Sequence, residues 1–78
     1  LGWAFYKQGK LGDARQQLER AADLSRTNSV IQDHLGDVLM ALNDAPGAIA
    51  AWERALAGDG ESIDPATIKS KIQRARQR

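Results

Sequence analysis

The sequence predicts an all-α fold, a helix-turn-helix repeat solenoid of about five short antiparallel helices, and three observations predict it. Alanine, leucine, glutamine and arginine are plentiful while β-branched residues are few, which favours helix in every long window. Apolar residues recur at the three-and-four spacing of one buried stripe, most clearly Ala48, Ala51, Trp52, Ala55 and Leu56. The chain also matches itself at a shift of 34 residues, which carries Leu1-Gly2 onto Leu35-Gly36, Phe5 onto Leu39, Ala14 onto Ala48, Leu18 onto Trp52 and Glu19-Arg20-Ala21 onto Glu53-Arg54-Ala55. Small residues pair with small and large apolar residues with large apolar, so what repeats is a set of packing roles.

The elements follow in order. Each unit breaks at a corresponding place, Gln8-Gly9-Lys10 and Asn43-Asp44, where glycine or asparagine accepts the left-handed conformation that ends a helix. Each unit is therefore two helices and a tight turn, with helices expected at about 1–8, 11–25, 29–42, 45–57 and 65–76. Asp44 is placed to cap the fourth, with Pro46 in its first turn, where a missing N–H does no harm. Asp64 before Pro65 starts the fifth in the same way, and Ile68, Ile72 and Ala75 then form a stripe expected to cover the helix of Trp52. Gly58-Asp59-Gly60-Glu61-Ser62 reads as a flexible polar linker. The domain division is 1–27 for a first unit lacking the opening turn of its first helix, 28–60 for a complete unit, and 61–78 for a C-terminal capping helix. Such a cap with a polar outer face is what the end of a repeat array requires.

Leu1, Gly2, Phe5, Gly9, Ala14, Leu18 and Ala21, followed by Leu35, Gly36, Leu39, Asn43, Ala48, Trp52 and Ala55, make the sequence resemble the tetratricopeptide repeat family over residues 1–58. Glycine and alanine would let paired helices approach while Phe5, Leu18, Leu39 and Trp52 fill the gaps. The departures lie in loops: Arg26 and Gly60 stand where the family often has proline, and Asn43 where it has glycine. The stretches LGWAFYKQGKLGDA, DHLGDVLMAL and AWERAL further look like bacterial repeat proteins. The opening residues read as the middle of an element, so the chain is expected to be part of a longer protein.

The resemblance implies a right-handed superhelix whose first helices line a concave groove for a protein or peptide partner. Carried over position by position, it points to Trp3, Tyr6 and Lys7 in the first unit, Val30, Asp33, His34, Asp37 and Met40 in the second, and Ser70 and Arg74 on the capping helix. Helical geometry adds that Asp33, Asp37 and Met40 share a face distinct from that of Leu35, Leu39 and Leu42. Each acid taken singly also fits plain surface charge, and Trp3 also fits packing on an upstream repeat. A subset of the family clamps the carboxyl terminus of heat-shock chaperones with lysine, arginine and asparagine. Asp33, His34 and Asp37 occupy the matching positions here and would repel a carboxylate. The expected partner is basic or apolar-aromatic, and not a chaperone tail.

Other functions find little in the residues. The chain has 78 residues, no cysteine and one histidine, so disulfides, thiolate chemistry and a histidine metal cluster are all excluded within it. His34 as general base for Ser25, Ser29 or Ser62, or Asp33 and Asp37 as paired acids, would require a converging pocket that nothing announces. No phosphate loop is present, and Gly58-Asp59-Gly60 lacks the spaced acids of a calcium loop. An enzyme is not expected, nor any cofactor or metal. No apolar stretch approaches the roughly 20 residues of a membrane span. The last helix carries Lys69, Lys71, Arg74, Arg76 and Arg78 with no acid after Asp64, which suits either a solvated outer face or contact with nucleic acid or an anionic surface. A net charge of +1 and the lack of interleaved aromatics argue against nucleic acid. Two further readings stay open: a purely structural cap supporting another domain, and self-association through an exposed half-repeat.

Overall fold

The computed structural model describes residues 10–77, which form four packed α-helices. These are α1 (Leu11–Leu24), α2 (Ser29–Ala41), α3 (Ala45–Ala57) and α4 (Pro65–Arg76). No strand occurs among the described residues. Predicted starts and ends agree to within one residue: α1 stops at Leu24 and α2 at Ala41, while α3 and α4 have the expected limits. The expected helix over 1–8, with its turn glycine Gly9, lies outside the described residues.

Local chemistry explains each boundary. Asn28 caps α2, its side chain accepting from the Ile31 N–H at 3.2 Å. The helix ends where Asn43 enters the left-handed region (φ 66). There the Asp44 N–H donates to the Leu39 carbonyl at 2.9 Å and the Asn43 N–H to the Met40 carbonyl at 3.0 Å. This crossed pair satisfies two carbonyls that a helix end would otherwise orphan. One residue later Asp44 accepts from the Gly47 N–H at 3.0 Å and opens α3, with Pro46 in the first turn as expected. Asp64 opens α4 by accepting from the Ala66 N–H at 3.1 Å and the Thr67 hydroxyl at 2.9 Å.

α2 packs most extensively on α3, α1 lies on α2, and α4 lies on α3. Ala22, Leu35, Leu39, Ala48, Ala51, Trp52, Ala55, Ile68, Ile72 and Ala75 make one core that all four helices enter. Its centre is the α2–α3 contact: Ala48 is fully buried, Trp52 is 3% exposed, and a Cβ added at Gly36 would overlap the Trp52 indole. Only a glycine lets the two backbones close over that ring. The Ile68, Ile72 and Ala75 stripe is buried in the same core, as the sequence reading expected. α1 contributes less, with Ala22 buried, Leu18 half-buried and Leu24 84% exposed.

The loop between α3 and α4 departs from the flexible linker read from composition. Ser29, fully buried at the start of α2, donates its hydroxyl to the Ala55 carbonyl at 2.6 Å and accepts from the Gly60 N–H at 2.8 Å. The Asp59 N–H donates to the Thr27 carbonyl at 2.7 Å. The Asp59 carboxylate in turn accepts from the N–H groups of Ser29 at 3.3 Å and Glu61 at 3.0 Å. Those two N–H bonds, Glu61 first and then Ser29, hold the Asp59 pKa below its ordinary 3.8 against a small opposing effect of burial. Polar residues and glycines do make this loop, but they are consumed in joining it to the α1–α2 turn.

Candidate functional site

The residues expected to form a groove divide into three sets. Trp3, Tyr6 and Lys7 lie outside the described residues. Val30, Asp33, His34, Asp37 and Met40 all lie on α2, with His34 exposed and the other four half-buried. Ser70 and Arg74 lie on α4, both exposed. Met40 rests partly against the core, and Asp33 is fixed from below because its carbonyl accepts from the Trp52 indole N–H at 3.2 Å.

The cluster at the centre of this face is one that residue patterns alone did not indicate. Lys71 of α4 reaches across to α2 and donates to both Asp33 and Asp37, each at 2.9 Å. Asp33 and Asp37 stand one helical turn apart, so a single ammonium fits between their carboxylates. The same ammonium lies 5.7 Å from the centroid of the Trp52 ring, within cation–π range. Burial by itself would lower the Lys71 pKa, but the hydrogen bonds to Asp37 and Asp33 outweigh it and leave the pKa above its ordinary 10.5. The Lys71 and Asp33 side chains are 25% and 20% exposed and that of Asp37 41%, so water screens the cluster only in part. The acids expected to attract a basic partner thus already hold a cation from their own chain.

A second polar contact joins α2 to α3. Gln32, 2% exposed, accepts from the Arg54 Nε at 3.0 Å and donates to the Arg26 carbonyl at 3.4 Å. It lies in the wall of an open cleft of about 610 Å³ between α1, α2 and α3, which Glu19, Asp23, Arg26, Asp44 and Arg54 also line. Both signs of charge are present and the amide is satisfied, so nothing in the cleft singles out a ligand. Among the described residues, no buried side-chain polar atom lacks a hydrogen-bond partner, and no group of His, Cys, Asp and Glu is placed to hold a metal ion.

The basic character of α4 is partly spent inside the molecule. Lys71 is committed to Asp33 and Asp37, and Arg76 pairs with Glu53 at 3.1 Å across an exposed contact. Lys69 and Arg74 are exposed. Among the described residues no helix is long and apolar enough to cross a membrane. The chain matches no model of a known protein family and no curated protein sequence.

Proposed function

We propose that this chain is part of a tetratricopeptide-type solenoid, with a fifth helix over residues 1–8, and that it acts as a scaffold holding a protein or peptide partner. One observation carries the reading. Lys71 follows Asp37 by one 34-residue period and hydrogen-bonds to it directly. A contact at that separation between α2 and α4 is what a stacked array of helix pairs predicts for successive first helices. Gly36 against Trp52 gives the matching contact within a unit.

In this reading α2 and α4 are successive first helices, and their shared side, with Val30, His34 and Met40 around the Lys71 cluster, forms the floor that a partner meets. Lys71 offsets one of the two charges of Asp33 and Asp37, which shifts the balance of that floor towards apolar and aromatic segments, to which Trp3 and Tyr6 would contribute. Site-specific photocrosslinking in cells tests it. Probes at Val30 and Met40 should trap a partner that probes at Gln16 and Arg20 on the exposed side of α1 do not; equal trapping at both pairs, or trapping only on α1, sinks the groove.

A structural capping role has its own support. On α4, Thr67, Lys69, Ser70, Gln73 and Arg74 are exposed, so beyond Ile68, Ile72 and Ala75 the helix offers a polar outer face. The nucleic-acid reading is weaker, because two of the cations on which it rested are already paired with acids.

A further inference from the structure

We propose that Lys71 is a latch: it holds α4 closed across the face of α2 that carries Asp33 and Asp37, and α4 opens as a unit when that contact is withdrawn. Three features make the contact more than a surface ion pair. First, α4 packs chiefly on α3, and Lys71 ties it to α2 by hydrogen bonds to two carboxylates at once. Second, the ammonium is wedged between those carboxylates and the Trp52 ring, with the Lys71 and Asp33 side chains 25% and 20% exposed, so the contact that joins α4 to α2 is only partly screened by water. Third, the segment leading into α4 has a natural pivot. Asp59 and Gly60 are tied to the α1–α2 turn and the first residue of α2, whereas Ser62, two residues before the Asp64 cap, is held at φ 60, a left-handed conformation that costs a serine.

Closed, the latch keeps Asp33, the ammonium and the Trp52 ring largely from water and leaves Asp37 41% exposed. Open, it leaves all of them to solvent, so that a ligand that prefers the open form becomes linked to release of α4. The latch does not rest on the groove reading above.

Native-state amide exchange on the full chain, followed residue by residue by NMR, separates the two. Lys71→Met should speed exchange at Ile68, Ile72 and Ala75 by about tenfold while Leu35, Val38 and Leu39 of α2 stay within about twofold of the parent. Arg76→Gln, which breaks an exposed ion pair on the same helix, should leave α4 within about twofold. Asp33→Asn with Asp37→Asn should reproduce the effect of Lys71→Met, and all three changes together should open α4 no faster than either set, because both remove one contact. Unchanged exchange in α4, equal acceleration of α2 and α4, or additive effects of the two sets would each overturn the latch. No partner is needed for this measurement, so its failure would leave the groove reading standing, and silent crosslinks would leave the latch standing.

Discussion

The α2–α3 pair and the attachment of α4 solve the same problem, closing one helix against its neighbour, by opposite means. Between α2 and α3 the fit is steric: Gly36 removes a side chain so that Trp52 can fill the space, and Ala48, Ala51 and Ala55 leave almost no exposed surface. α4 combines a narrow stripe of Ile68, Ile72 and Ala75 with a charge cluster that stays partly open to water. Steric closure responds to volume and hardly to solvent conditions, whereas a cluster of one cation and two acids responds to charge and pH. The first kind suits a permanent joint and the second a joint that is made and broken.

Substitutions of descending severity sharpen this contrast. Trp52→Ala should be the most damaging, costing about 3–5 kcal/mol, because it empties the centre of the core and removes the ring beneath Lys71. In a domain this small that is most of the stability, and loss of the cooperative transition in urea, followed by circular dichroism, is the expected result. Gly36→Ala should cost about 1–3 kcal/mol by overpacking although alanine is the better helix former. Gly12→Ala, where an added Cβ meets nothing within 4 Å, should stabilise by about 0.4–1 kcal/mol. Thermal melts that moved both variants the same way would show that propensity, and not the Trp52 contact, governs position 36.

The polar joints make predictions in pH. Lys71 has its pKa raised on folding, so its contribution is complete below the unfolded value near 10.5 and is lost as pH rises through the folded value. Circular dichroism melts between pH 8 and 12 should show Lys71→Met insensitive to this loss. Asp59 has its pKa depressed, so its contribution is present above 3.8 and is lost as pH falls through the folded value. The effect is the smallest expected, because the group is exposed. Asp59→Asn should flatten the decline in melting temperature below pH 4; a parallel decline in both proteins would assign it to other carboxylates.

Residue types and spacing made the helices and the steric joint readable in advance, since capping, period and small-against-large pairing each leave a local mark. Asp44 with Pro46, Asp64 with Pro65, Gly36 and Trp52 all do what their patterns suggest. The polar joints left no such mark. Ser29, Gln32 and Asp59 look like surface residues in any short window, and they become structural only through partners some 20–30 positions away. Lys71 stands 34 and 38 residues from its partners Asp37 and Asp33. Its position in a run of basic residues concealed that pairing, since such runs are read as facing water. The part of the expected face that falls on Trp3, Tyr6 and Lys7 lies outside the described residues.

The buried hydroxyl of Ser29, bonded at once to the last turn of α3 and to the loop beyond it, has a mechanical consequence. A pull on the C-terminal end would meet α4 first, and the load would reach α3 only after passing this rivet. Under tension the molecule should therefore yield in two stages, shedding its last helix while the Trp52 joint still carries force.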